Sequence, residues 1–329
     1  MDRKDFHMLL EKRAGELGFT QLGVVQAEKM LTDLEMLEYS ISKGYHAGMT
    51  YLERNHHIRK EPALLLEGAK SIVVTITSYK PAERQPEGKP GIASYAYGLD
   101  YHIVLKKRLN DLASLICDHH AGTTFRVFTD SAPIFERSLA VKAGLGFIGK
   151  NTFLINYHHG LHTLIGVIIT NKELYYPDYG KKGKNLCGSC TRCLDACPTK
   201  ALRDPFVMDA RRCISYQTIE DKKLYDPAKD YNPRSGMIFG CDICMDVCPW
   251  SRKGAVTQIE EFGHLRLTDG TLVTHMDRAR WKEIDSHFFK QEFKKSPLFR
   301  AGLEKIFNNL DYELANQGGN PSLKGEDPV

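Results

Sequence analysis

Long apolar runs are missing from this 329-residue chain. None approaches the roughly 20 residues that a membrane-spanning helix needs. The N-terminus, Met1-Asp2-Arg3-Lys4-Asp5, has neither the apolar stretch of a secretory signal nor a twin-arginine pair, so a cytoplasmic location is expected. No G-x-G-x-x-G follows a strand-like run, which leaves a Rossmann dinucleotide site unsupported. Excess charge is lacking too. A formal net charge of +4 does not mark the whole molecule as a nucleic-acid binder, so any such surface must be local. Charged residues at 26% and hydrophobic ones at 42% are ordinary globular usage, and the length suits two domains, or one with an insert. Cysteine is scarce outside one region: of nine, only Cys117 lies apart, in an apolar helical stretch where it reads as a small buried hydrophobe.

What is present is a dense cysteine pattern. Cys187, Cys190, Cys193 and Cys197-Pro198 form C-x2-C-x2-C-x3-C-P, and Cys241, Cys244 and Cys248-Pro249 form a second block, with Cys213 between them. The first run is the bacterial two-cluster ferredoxin pattern, in which the fourth cysteine serves the other cluster. Two cubane clusters need eight thiolates, and eight are present. The pattern assigns Cys187, Cys190, Cys193 and Cys248 to one cluster. It assigns Cys197, Cys241 and Cys244 to the other, with Cys213 the nearby candidate for the missing ligand. Paired C-x2-C knuckles also suit structural zinc, but three cysteines at two-residue gaps followed by Cys-Pro fit zinc poorly. Tight spacing in a chain of this kind argues for metal or redox use over disulfides.

The surrounding pattern is mixed α/β with antiparallel pairing rather than a repeating βαβ array. Residues 5–18 repeat Phe6, Leu9, Leu10, Ala14 and Leu17 at helical spacing, with Gly18 as a C-terminal stop. Thr20–Val25, Ser71–Ser78 and Thr123–Thr129 read as strands, 81–92 as a Pro/Gly loop and Asp100–His119 as a long helix. Asp130-Ser131-Ala132-Pro133 reads as a strand end entering a helix that runs to about Ala143, with Asp130 in N-cap position. Strands at about 152–156 and 163–170 follow, joined through His158-His159-Gly160; His158, His159 and His162 read as surface histidines. Residues 173–186 form a linking loop, cysteine motifs fill 187–250, and the rest is helical, anchored by Trp281, Phe288, Phe289, Phe293 and Phe299, with a frayed end from Gly318.

An electron relay fused to about 185 preceding residues implies an acceptor in that domain. Several segments narrow the choice: Ala93-Ser94-Tyr95-Ala96-Tyr97-Gly98-Leu99-Asp100-Tyr101-His102; Thr129-Asp130-Ser131-Ala132-Pro133 with Glu136-Arg137; Ala143 to Thr152 (AGLGFIGKNT); Cys213 to Glu220 (CISYQTIE); and Gly240-Cys241-Asp242-Ile243-Cys244. With the cysteine frame, these resemble the epoxyqueuosine reductase family over roughly 1–310.

The resemblance implies an α+β chain. A nitroreductase-like cobalamin-binding catalytic domain (1–172) would be followed by a ferredoxin-like domain with two [4Fe-4S] clusters (173–255) and a helical C-terminal region packing on both (256–329). The family uses cobalamin without a protein histidine as lower axial ligand, and Asp118-His119-His120-Ala121-Gly122 does not match D-x-H-x-x-G. Asp130 takes the place of the family's proton donor. Burial against the corrin would favour the raised pKa such a donor needs. Arg59, Tyr95, Leu154, Ser215 and Asp242 become candidate cobalamin contacts beside Asp130. The plainer alternatives are a solvated loop arginine, core packing for Tyr95 and Leu154, and ordering of the cluster loops by Ser215 and Asp242. Lys222, Lys223, Arg278 and Arg280, with Lys181, Lys182, Lys184, Lys294 and Lys295, are candidate phosphate contacts or solvated faces. Many relatives continue into a helical HEAT-like repeat, for which the segment ending at Val329 leaves no room.

The expected activity is reduction of epoxyqueuosine to queuosine at the tRNA wobble position. Electrons from an external low-potential donor would pass through the clusters to cobalamin, and Asp130 would protonate the departing oxygen. The anticodon loop is the expected recognition element, since single-stranded bases can be splayed into a pocket. No membrane association and a monomer are expected. Rival readings are a dehalogenase-like corrinoid reductase, a flavin reductase on the same fold, and an electron carrier or cobalamin-handling protein.

Overall fold

The computed structural model describes residues 1–180, 184–226 and 235–317. The N-terminal part contains α1 (Arg3–Glu16), β1 (Gln21–Gln26), α2 (Leu31–Ser42), α3 (His56–Lys60), β2 (Ser71–Ser78) and β3 (Gly91–Ile92). It continues with α4 (Tyr101–His119), β4 (Phe125–Phe128), α5 (Glu136–Lys142), β5 (Phe147–Ile148), β6 (Leu154–Ile155) and β7 (Thr163–Thr170). Its main sheet has the order β1-β2-β7-β4, with every neighbouring pair antiparallel.

The β-branched run of β2 is buried at all eight positions because both sheet faces are covered. Side chains alternate between faces. Val73, opposite Val24 and Ile168, packs with Leu105, Leu109 and Leu112 of α4 and Phe6 and Leu10 of α1. Ile72, Val74 and Ile76 pack on the other face with Leu139 and Ala140 of α5. Each such side chain, fully removed from water, contributes roughly 1.5–3 kcal/mol. Helix α1 is capped by Asp2, whose side chain accepts the Asp5 N–H at 2.7 Å. Asp100 caps α4 by accepting the His102 N–H at 2.9 Å.

The cysteine-rich part contains α6 (Arg192–Ala196), β8 (Leu202–Asp204), β9 (Val207–Met208), α7 (Ile214–Ile219), β10 (Met237–Phe239) and α8 (Ile243–Asp246). Parallel pairing of β10 with β3 ties it to the segment before α4. The C-terminal helices α9 (Arg278–Lys282), α10 (Ser286–Glu292) and α11 (Leu303–Gln317) form a separate core. In it Trp281, Phe289, Phe293, Ile306 and Leu310 pack on Ile238 and Phe239 of β10 and on Ile92 and Tyr97. Asn309 Nδ2 locks α11 to β10 by donating to the Ile238 carbonyl at 2.8 Å.

Five local expectations are corrected. Asp130 is not an N-cap: α5 begins at Glu136, its N-cap is Phe135, and Asp130 sits in a left-handed turn at φ +49°. Strand β6 pairs with β5, not with β7. Gly146 permits this, since a Cβ there would stand 2.2 Å from the Ile155 carbonyl oxygen. His162 is 2% exposed, not a surface residue. Burial, helped by Arg84 and Lys80, pushes its pKa down to about 4. Phe299 is 41% exposed and is no core anchor, because its short 3-10 turn faces a cavity. Cys117 is only half-buried. No helix among the described residues is long and apolar enough to cross a membrane. Lys181, Lys182 and the segment from Gly318 onward lie outside the described residues.

Candidate functional site

A cavity of about 850 Å³ lies where the three parts of the chain meet. That is toward the upper end for small-molecule and cofactor sites. Four cysteines line it, Cys197, Cys213, Cys241 and Cys244, and across from them in sequence so does Asp130. Cys187, Cys190, Cys193 and Cys248 are not among its lining residues.

The electrostatics sort the thiols the same way. Burial pushes the Cys241 thiol up to about 12, with Cys213 and Cys197 adding to the shift. Burial pushes Cys244 higher still, reinforced by Cys241, Cys213 and Cys197 and, last, by Cys193. Cys248 is raised by burial and by Cys187 and Cys190, and Cys193 by burial and by Cys248 and Cys187. Gathered thiolates in such surroundings need a positively charged core to be stable. No cysteine is in a disulfide. No three His, Cys, Asp or Glu side chains among the described residues group tightly enough to hold one metal ion.

Asp130 projects its carboxylate into the cavity, with the side chain 70% exposed. Tyr101 Oη donates to its Oδ2 at 2.8 Å. Burial, then Asp130, pushes the Tyr101 phenol far above its usual range, so it stays a donor. His102 stacks on Tyr101 at 4.1 Å and places Nε2 4.0 Å from Asp130 Oδ2. Its Nδ1 lies 2.7 Å from Asp100 Oδ1. Burial raises Asp100, but hydrogen bonds from His102 outweigh it and leave its pKa lowered. An ionised Asp100 fixes the His102 proton on Nδ1 and turns Nε2 toward Asp130.

Tyr95, Ser215 and Asp242 also line the cavity. Burial pushes the Tyr95 phenol far up, so it too remains neutral. Asp242 is 7% exposed and accepts the Ser94 N–H at 2.7 Å, which ties the second cysteine block to the segment before α4. Arg59 and Leu154 are not among the lining residues. Leu154 packs in the core with Leu139, Leu145 and Val167, and Thr152 and Phe153 meet the cavity in its place. Arg59 is 8% exposed, its Nε is buried without a partner, and it interacts electrostatically with Tyr51, which lines the cavity.

Of the basic residues singled out in sequence, Lys294 lines the cavity, while Arg278, Arg280, Lys222 and Lys223 are not among its lining residues. Arg280 is paired with Asp269 and Glu283, and Arg278 donates to the Leu310 carbonyl. Lys222 donates to the Arg300 carbonyl at 3.3 Å, and Lys223 lies over the Tyr225 ring at 5.1 Å. Lys106 and Arg300, which were not singled out, line the cavity with Lys294, and Arg300 is held by Glu220 at 2.7 Å. Sequence reasoning passed over Asp100, Tyr101 and His102 as site residues, although the segment containing them carried the resemblance. Their signal is the run Asp-Tyr-His at a helix start, where an N-cap and the first turn point at one spot.

Comparison with known proteins agrees with this architecture. Residues 186–251 match the family model described as 4Fe-4S double cluster binding domain. Residues 59–131 match the one described as Epoxyqueuosine reductase QueG, DUF1730. The chain is 36% identical to the epoxyqueuosine reductase of Cyclobacterium marinum over 92% of its own length and 95% of the relative's. It resembles the structure of epoxyqueuosine reductase from Streptococcus thermophilus with a TM-score of 0.81 and 29% identity, covering 96% of this chain and 82% of that one. An epoxyqueuosine reductase bound to an epoxyqueuosine-modified tRNA-Tyr stem loop matches with a TM-score of 0.78 and 26% identity, covering 95% and 82%. The Bacillus subtilis enzyme, with its catalytic loop swung out of the active site, matches with a TM-score of 0.76 and 26% identity, covering 95% and 82%. The cysteine-rich part thus carries two [4Fe-4S] clusters, and the chain belongs to the epoxyqueuosine reductase family.

Proposed function

We propose that epoxyqueuosine in tRNA is reduced to queuosine in the 850 Å³ cavity. The carrying observation is that one cysteine quartet and Asp130 line the same space. Cys197, Cys213, Cys241 and Cys244 hold the inner cluster at the cavity wall. Cys187, Cys190, Cys193 and Cys248 hold the outer one, where an external low-potential donor delivers electrons. The domains run 1–172, 173–255 and 256–329, the first being nitroreductase-like and the second ferredoxin-like.

The cavity suits cobalamin. It is large, lies between domains, and its one lining histidine among the described residues, His102, is engaged by Asp100 and turned toward Asp130. When bound there, cobalamin would supply the two-electron reducing power that removal of the epoxide oxygen requires. Tyr95, Ser215 and Asp242 line its space, and Arg59 supports the wall behind Tyr51. Asp130 delivers a proton from its carboxyl oxygen to the departing oxygen. Tyr101 orients that carboxyl, and His102 stands beside it. Filling the open cavity excludes water from Asp130, which the substrate and cofactor must do in concert. Lys106, Lys294 and Arg300 at the opening meet tRNA phosphates, so binding weakens with salt. The protein works as a cytoplasmic monomer.

Anaerobic reconstitution with iron, sulfide and cobalamin, followed by mass analysis of nucleosides from tRNA carrying epoxyqueuosine, tests this. Queuosine should appear with the wild type. Asp130→Asn should keep clusters and cobalamin and lose turnover; unchanged turnover removes Asp130 from the mechanism.

A further inference from the structure

Two residues lining the cavity hold left-handed backbone without being glycine: Asp130 at φ +49° and Thr152 at φ +68°. Such conformations persist where the surroundings over-determine them. Both are gripped by adjacent residues at the start of α5. Glu136 Oε1 accepts the Asp130 N–H at 2.7 Å, and Arg137 Nη1 donates to the Thr152 carbonyl. Helix α5 is anchored by Leu139 and Ala140, which are buried against the sheet. The Glu136 carboxyl is therefore turned back onto the loop from a fixed platform, while the helix's own N-cap, Phe135, makes no side-chain hydrogen bond.

We propose that Glu136 is a positioning residue. Its carboxyl oxygen holds the Asp130 backbone in the left-handed turn that aims the Asp130 side chain into the cavity, while Arg137 fixes the facing wall at Thr152. The inference rests on Asp130 being the proton donor. The Glu136 carboxyl is pushed up to about 8 by burial and by Asp130, so at neutral pH it is mostly uncharged. An uncharged carboxyl keeps an acceptor oxygen for the Asp130 N–H and adds no second negative charge beside the donor.

The test uses full-length protein loaded with clusters and cobalamin. Glu136→Met fills the same space without an acceptor, and Glu136→Gln keeps the acceptor oxygen. Misplacing a reacting group by about 1 Å can cost about 10²-fold. Glu136→Met should therefore lower kcat by a factor of that order, with KM for the tRNA nearly unchanged and amide exchange at Asp130 accelerated. Glu136→Gln should restore both kcat and slow exchange. Exchange at Asp130 unaltered in Glu136→Met, or Glu136→Gln as impaired as Glu136→Met, overturns the proposal. If Glu136→Met fails to fold, exchange in the wild type decides: a protected Asp130 amide supports the clamp, and a freely exchanging one refutes it. The exchange readout does not depend on the chemistry. Failure of Asp130→Asn to reduce turnover would thus remove the donor assignment without touching the clamp.

Discussion

The two cysteine quartets differ in what they face. Cys197, Cys213, Cys241 and Cys244 line the cavity, and burial drives Cys241 and Cys244 strongly upward. Cys187, Cys190, Cys193 and Cys248 stand off it, in a stretch where Lys184, Leu186, Gly188 and Arg192 are exposed. Two clusters of one type thus sit in unlike surroundings, and surroundings set potential and access. The contrast fits the proposed direction of the relay, in through the quartet that stands off the cavity and out through the quartet that lines it with Asp130.

The sharpest way to break that contrast is to remove one cluster at a time. Cys241→Ser should abolish turnover and resist rescue by a strong chemical reductant, because the cavity loses its adjacent cluster. Cys190→Ser should also lose turnover with a protein donor yet regain much of it with a small reductant that bypasses the outer site. Iron counting and electron paramagnetic resonance would confirm which cluster is gone, and equal rescue of both variants would erase the distinction.

Asp130→Asn removes the proton but keeps the geometry, and losses for general acids run to about 10²–10⁴-fold. Single-turnover rates with both clusters verified measure it. Tyr101→Phe deletes one hydrogen bond to Asp130 and should cost less, about 2–10-fold in kcat for a typical bond.

A separate effect lies in pH-dependent stability. Burial, then Asp130, raises the Glu136 carboxyl to about 8, against the opposing pull of Arg137 and of the Asp130 N–H. The folded chain therefore keeps a proton that the unfolded chain has already released. The linked stability is complete below the ordinary carboxylate range and is lost as pH rises through about 8. Glu136→Gln lacks this dependence, so its anaerobic melting temperature should gain on the wild type from about pH 5 to about pH 9. A constant difference across that range would contradict the assignment.

Local chemistry explains what the sequence made legible. The β-branched run Ser71–Ser78 is a strand over that same span, and Asp100 caps the helix that follows it. The C-x2-C-x2-C-x3-C-P run was legible because its cysteines are close in sequence, whereas Cys213 and Cys248 lie far along the chain from the cysteines they are grouped with. Backbone conformation was harder to read. An aspartate before a helical pattern looks like a cap, and nothing in its identity announces φ +49°. Phe299 was misjudged for a related reason, and Leu154 took the plainer of its two readings, core packing: hydrophobicity says that a residue avoids water, not whether a core or a cofactor cavity covers it. The charges of Arg278 and Arg280 were visible, but the partners that engage them come from Leu310, Asp269 and Glu283, and the first two lie in other elements.

The most direct test of the account is one anaerobic reaction. Chemically reduced protein carrying both clusters and cobalamin is mixed with tRNA bearing epoxyqueuosine, and the nucleosides are weighed by mass spectrometry. Queuosine is expected from the wild type, and its loss is expected in Cys241→Ser with the outer cluster intact. Queuosine formed at the wild-type rate without the inner cluster would contradict it.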